Sequence, residues 1–371
     1  MVMFGMLALA VAGAGAKDAK GLLENIHHHI ILASTVADNG DLNPYALIVA
    51  PVSAGKIHQG DVLVDNFNKV SNLQGTGTTI MDYNPATKEI STFATLPQDL
   101  PQCPGGIGLS TAMTMLSSGW VIVGSAPSKD GSTRTLGAGG LLVLDANGNL
   151  VATWADTNID APWGNIATID NGTNAILFIS MAGFDVPGPQ VHDDKGYPVI
   201  VRKATVLRIK LSIPEGNPPV VTDETIVANG FGQKADRDAF LVGPTGLALG
   251  DDDTLYVSDA LANQIVAIPN ASTRTDSAGT GRTVTSEGLL HRPLALTTTS
   301  DGHLLVINAL KGQVVEVDPK AGKQLYAQWI DPDQAQSPPG NGDLFGIAMT
   351  PDGKGFYYVE DDVNTLMEAT R

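Results

Sequence analysis

The chain has 371 residues, 43% of them hydrophobic, and 39 acidic against 22 basic side chains give it a formal net charge of -17. That length can bury one large continuous core, and that charge repels phosphate backbones and anionic membrane surfaces, so nucleic acid is excluded as an expected partner. Cys103 is the single cysteine, so no disulfide can form within the chain.

Met1 to Ala16 is apolar, rich in small residues and ends Ala14-Gly15-Ala16 before Lys17. This is a signal-peptidase pattern, and it predicts export to the periplasm or the extracellular space. The run is too short to stay behind as a bilayer anchor, so no stable membrane span is expected after cleavage. His27-His28-His29 follows, but adjacent residues on a strand alternate faces, and at most two of the three could share a metal. Ile30 to Val36 is a strand-like run with no unit of its own.

From residue 41 onward one pattern recurs. Its clearest copy reads Gly243-Pro244-Thr245-Gly246-Leu247-Ala248-Leu249, then Leu255-Tyr256-Val257-Ser258-Asp259, then Gln264-Ile265-Val266-Ala267-Ile268. Each copy has three short apolar runs divided by Gly, Asp, Asn and Pro turn signals, followed by a more polar fourth run, which predicts a four-stranded propeller blade. Units fall at about 41–96, 97–156, 157–230, 231–288, 289–334 and 335–371, which makes an all-β, single six-bladed β-propeller. The last unit ends at Arg371 after three strands, so the run at residues 28–36 is expected to supply the fourth and close the ring. Closure removes an unpaired edge that would otherwise template aggregation.

Gly243 to Ile268 resembles an NHL repeat, through the Pro and Gly before its first strand, the Leu255-Tyr256-Val257-Ser258-Asp259 strand and Asn263 before the third. Fainter copies run through Leu305-Val306-Ile307-Asn308 and Tyr358-Val359-Glu360-Asp361. The chain is thus similar to the six-bladed propellers of the TolB-like superfamily. That resemblance implies a fold and not an activity, because such propellers include binding modules as well as lyases and hydrolases.

The second strands end at Asn66, Ser125, Met181, Asp259, Asn308 and Asp361. If these ends converge at the central channel they form a ring of oxygen acceptors, and Asn66, Trp163, Asp259, Asn308 and Asp361 become the ligand-binding candidates. The bland reading of each is a side chain that caps the following turn. No cofactor is indicated by any motif. A divalent cation such as calcium is the one ion that Asp259, Asn308 and Asp361 could hold, since hard cations want many oxygens. Six-bladed lactonases resembling gluconolactonase and paraoxonase place such ligands at the starts of their first strands. Here those starts carry Tyr45, Gly106, Gly164, Thr245, Pro293 and Phe345, so that pattern is not carried over. His291 beside Arg292, and His192 beside Asp193 and Asp194, are the catalytic candidates.

Connections from second to third strand are long in the first three units, at 67–77, 126–139 and 183–204, and should wall one side of the channel mouth. Residues 231–242 and 331–343 are read as loops on that same face, and 185–202 as a flap over it. Two functions follow. The favoured one is an exported binding or scaffold module whose walled face takes a protein, glycan or small molecule. The alternative is a lactonase-like hydrolase or lyase with a non-standard polar site around Asp259, Asn308, Asp361 and His291.

Overall fold

The computed structural model describes residues 21–184, 186–188, 191–192, 199–237, 239–331 and 344–371. The expected signal segment, half of the 185–202 flap and the 332–343 connection lie outside these residues. The described chain is a ring of six antiparallel sheets. Blade one is built from Leu42–Val49, Val62–Asn68, Thr79–Asn84 and Glu89–Thr95; blade two from Leu109–Met115, Val121–Ser125, Gly140–Leu144 and Leu150–Trp154. Blade three holds Ala167–Asp170, Asn174–Met181, Val201–Ser212 and Val220–Ala235, with Leu241–Val242 added to the last. Blade four comprises Pro244–Leu249, Leu255–Asp259, Gln264–Ile268 and Arg282–Ser286; blade five Pro293–Thr298, Leu304–Asn308, Gln313–Asp318 and Lys323–Trp329.

Blade six closes as the sequence predicts. Leu344–Met349, Phe356–Glu360 and Thr365–Thr370 take His28–Ser34 as their fourth strand, paired from His28 opposite Thr370 to Ser34 opposite Thr365. The segment before it is anchored separately. Glu316, fully buried on blade five, accepts the backbone N–H groups of Leu22 and Leu23 at 3.0 and 2.9 Å and faces His303 Nδ1 at 2.8 Å. Leu23 and Ile26 are each 1% exposed, so the chain is latched to blade five before it pairs with blade six.

The core lies in slabs between neighbouring blades. Leu63 and Ile80 of blade one meet Met113, Val123 and Leu142 of blade two, and equivalent layers of Ile, Leu and Val fill the next junctions. This is why the second strands are nearly unbroken apolar runs: both of their faces are buried. Hydroxyls tie the inner strands together across the slabs. Ser110 donates to the Pro162 carbonyl at 2.7 Å, Ser180 to Thr245, and Ser258 to Leu294. Ser110 is therefore structural. The backbones approach so closely here that a Cβ on Gly164 would stand 1.6 Å from the Thr245 carbonyl oxygen, and only glycine fits.

Residues 231–242 differ from the expected loop. The fourth strand of blade three runs on to Ala235 because bulges after Phe231 and Asn229 reset its register, and a tight turn returns the chain as Leu241–Val242. Phe240, at the end of that turn, has φ +59 and is 1% exposed.

Candidate functional site

The channel has two ends of different character. At the end where the inner strands begin, Tyr45 of blade one stacks on Phe67 at 4.1 Å and on Phe345 of blade six at 3.8 Å. Trp163, entering blade three, packs edge-on against Phe67 at 5.6 Å and stacks on Phe240 at 5.8 Å, and Phe240 meets Phe67 edge-on at 5.4 Å. All of these rings are at most 2% exposed. Contributions from across the ring thus meet at the axis and fill it with an aromatic plug.

The plug changes the meaning of the acceptor ring. Trp163 belongs to its core and does not line an open mouth. Asn66 is fully buried; its Nδ2 donates to the Thr35 carbonyl at 2.9 Å and to Thr79 Oγ1 at 3.2 Å, which bolts the closing strand's end to blade one. Asn308 accepts the His291 N–H and donates to the Leu289 carbonyl, both at 2.9 Å. Asp259 caps its turn, accepting from the Ala262 N–H at 3.1 Å and from Gln264 at 3.4 Å, and burial pushes its carboxyl upward. Asp361 is one residue out of the assumed register: Glu360 pairs with Leu344 as Asp259 pairs with Pro244 and Asn308 with Pro293. Asp361 instead accepts from Asn43 Nδ2 at 3.3 Å. These side chains therefore serve separate local tasks, and the structure does not gather Asp259, Asn308 and Asp361 around one ion. Among the described residues no group of three His, Cys, Asp or Glu side chains is arranged to hold a metal. Of the six strand starts where lactonase-type calcium ligands would stand, Tyr45 and Phe345 carry aromatic rings and the others are Gly106, Gly164, Thr245 and Pro293.

A different constellation stands beside the plug. Arg292, held in a left-handed turn by its N–H bond to Asn263, reaches Asp236 at 3.2 Å. Their side chains are 17% and 10% exposed, so the pair is largely withdrawn from water. The preceding His291 places Nε2 2.8 Å from Lys311 Nζ. Burial, and then the Lys311 charge, hold its imidazole below the ordinary histidine value, so it is neutral near pH 7. Because an ammonium only donates, His291 Nε2 carries the lone pair and Nδ1 the proton. The Tyr45 phenol is pushed well up by burial, and then by the charges of Asp361, Asp236 and Asp65. Sequence reasoning named His291 and Arg292 but had no means of finding Asp236 or Lys311 as their partners. His192 is exposed, and its neighbours Asp193 and Asp194 lie outside the described residues.

The predicted wall is present in strand terms: second-to-third connections span 69–78, 126–139 and 182–200 in the first three blades but 260–263, 309–312 and 361–364 in the others. Against the second and third of these connections, a two-lobed cleft of about 370 and 490 Å3 opens around Pro104, Ala138 and Phe184. Phe184 is 43% exposed, with Lys203 Nζ 5.2 Å from its ring centre, and Lys129 and Arg134 line one lobe. The opposite end of the channel, where the inner strands finish, is an open cavity of about 840 Å3 lined from all six blades.

No protein-family model matches the chain, and no curated protein matches it by sequence. Solved structures share its fold. A gluconolactonase from Xanthomonas campestris superposes with a TM-score of 0.57 at 13% identity, over 94% of this chain and 91% of that one. A catalytically inactive virginiamycin B lyase from Staphylococcus aureus with quinupristin gives 0.50 at 14%, over 93% and 100%. The calcium-binding protein regucalcin from Agrobacterium tumefaciens gives 0.51 at 12%, over 93% and 92%. At such identities the likeness is one of fold: a six-bladed propeller with neighbours among lactonases, lyases and regucalcin.

Proposed function

We propose that this chain is an exported six-bladed propeller enzyme, a hydrolase or lyase acting on a small molecule at the strand-start face beside the plug. The observation that carries this reading is a single patch in which the largely withdrawn Arg292–Asp236 pair adjoins a neutral, partly buried His291 in contact with Lys311. A neutral imidazole set among partly buried charged groups of complementary type is what acid–base chemistry needs and what a solvated surface lacks. The lactonase and lyase among the fold neighbours agree with it without establishing it.

In this reading Arg292 and Lys311 bind an anionic or carbonyl oxygen, and the charge that develops on that oxygen strengthens both contacts. As the substrate draws the Lys311 ammonium away, the His291 Nε2 lone pair is released to accept a proton from water or from a carbon beside the carbonyl. Asp236 keeps Arg292 oriented. A panel of γ- and δ-lactones and p-nitrophenyl esters, followed by proton release and absorbance, tests it. His291→Asn should lower turnover by about a hundredfold, the usual worth of a general base. A panel on which the purified chain shows no turnover, or one on which His291→Asn retains full rate, overturns the proposal.

The second reading, a ligand-binding module, draws support from the exposed Phe184 with its neighbouring cations on the walled face. An aromatic platform rimmed by Lys203, Lys129 and Arg134 suits a glycan or an anionic ligand without any chemistry. Saturable binding at that cleft, with no turnover anywhere on the panel, would select it.

A further inference from the structure

One buried acid belongs to neither reading. Asp65 lies on the second strand of blade one and is fully buried. It stands one residue before Asn66, the partner of Pro44 where the inner strand enters the blade. The matching residues of the other blades are Gly124, Ser180, Ser258, Ile307 and Val359. The two serines share one bonding pattern. Ser258 Oγ accepts the Gly246 N–H at 2.7 Å and Ser180 Oγ the Gly164 N–H at 3.0 Å, each from the inner strand of its own blade. Each hydroxyl then donates to a carbonyl of the next blade, Leu294 or Thr245. Asp65 Oδ1 makes the first of these bonds, accepting the Ala46 N–H at 2.7 Å. Its Oδ2 is buried and meets no donor among the described residues.

The side chain faces blade two. Leu63, two residues earlier and so on the same strand face, packs with Met113, Val123 and Leu142 of that blade. The hydroxyls that blade two brings to this level, Ser110 and Thr111, donate to the Pro162 and Trp163 carbonyls instead. From blade one the titratable groups are the Tyr45 phenol on the inner strand, Asp61 on the same strand face and already 3.2 Å from His58, and Asp82 two residues beyond Ile80, which pairs with Asp65. Burial pushes the Asp65 carboxyl well up, and the N–H groups of Ala46 and Tyr45 alone oppose it. A buried anion with one oxygen unpaired is costly, whereas the neutral acid can accept through one oxygen and donate through the other.

We propose that Asp65 is a protonated carboxylic acid in the folded chain, donating to the inner strand of blade two as Ser180 and Ser258 donate at their own seams, and that this makes the seam between blades one and two a pH-sensitive joint in the ring. In acid the joint is held by an O–H donor. As pH rises through the folded value of the carboxyl the proton leaves, an acceptor is left facing an acceptor, and the seam loosens. Serine and glycine at the matching places cannot titrate, so the sensitivity is confined to this one position among the six.

Urea unfolding from about pH 4.5 to about pH 8.5, carried out in an Asp82→Asn background so that the Asp82 proton does not intrude, tests the proposal. The folded parent holds a proton that the unfolded chain releases above the ordinary 3.8, so its unfolding constant should climb with pH about tenfold per unit more steeply than that of Asp65→Ser or Asp65→Asn until the folded carboxyl ionises. Both replacements supply a neutral donor in the same place, and one that folds is enough for the comparison. Each should therefore gain on the parent steadily as the solution is made more alkaline. Parallel pH profiles in parent and variant, or failure of both neutral replacements to fold, would overturn it.

Discussion

The Glu316 latch offers the sharpest test of how the ring is held shut. In Glu316→Ala the Leu22 and Leu23 N–H groups lose their acceptor, and His303 Nδ1 loses its partner at 2.8 Å. Hydrogen bonds to a buried charge are worth about 1.5 to 3 kcal/mol each, so two of them set a ceiling of about 3 to 6 kcal/mol. The real loss is smaller, since residues 21–26 can lift off blade five and recover water; what they then forfeit is the burial of Leu23 and Ile26, each 1% exposed, at about 1.5 to 3 kcal/mol apiece. Each route spans about 3 to 6 kcal/mol, and partial recovery of hydrogen bonds to water places the loss near the low end, about 3 kcal/mol. For a domain of this size the entropy of unfolding converts that to a fall in Tm of about 4 °C. Hydrogen exchange supplies the second readout: the amides of Leu22 and Leu23 should lose protection while those of Ile30 and Ile31 in the closing strand keep most of theirs. Gly21→Ala should produce the same pattern, because a Cβ there would stand 2.2 Å from Glu316 Oε2. Unchanged Tm and unchanged protection at Leu22 and Leu23 in both variants would refute the latch.

Deleting the chain through Ser34 removes the ladder opposite Thr365–Thr370 and exposes the edge of blade six, so the product should aggregate on mild heating; light scattering equal to that of the intact chain would sink the closure argument. Phe240→Ala opens the plug and should cost about 3 to 5 kcal/mol by chemical denaturation, whereas a loss below about 1 kcal/mol would mean the rings do not close the axis. Asp82 is pushed up to about 7 by burial and then by Asp61, with His58 opposing, against an ordinary 3.8. The folded state therefore holds a proton that the unfolded chain releases, and its contribution is complete below about pH 4 and lost as pH rises through about 7. Asp82→Asn should flatten the fall of Tm between those values; an identical pH profile would show the carboxyl to be ionised throughout.

The architecture was legible because its signals are local. Asp251-Asp252-Asp253 and Asp301-Gly302 mark turns whose backbone demands are met within a few residues, and Asp253 and Gly302 do adopt positive φ, at +62 and +77. The closing strand was legible by subtraction, as an apolar run without a unit. The 231–235 extension was not, since Gly230 and Gly232 read as loop punctuation and bulges carry the strand past them. The polar ring misled for a related reason: an Asn at a strand end looks the same whether it faces a ligand or ties down a distant segment. Asn66 binds a carbonyl 31 positions away, and that partner is visible only once the chain has folded. Asp361 misled by its residue type, since Glu360 holds the matching register.

The aromatic starts of the inner strands, by contrast, were in plain sight. Tyr45 and Phe345 were counted as missing calcium ligands, when the physical content lay in what they are. Large planar side chains at strand starts in a narrow ring have nowhere to go but the axis, and there they exclude both water and ions. With the axis filled, any ligand on the strand-start face must bind beside the plug rather than in it, which is where Arg292 and His291 stand. The plug ties blades one, three and six together at the axis through ring contacts of 3.8 to 6.1 Å, so the strand-start chemistry is confined to the rim around it.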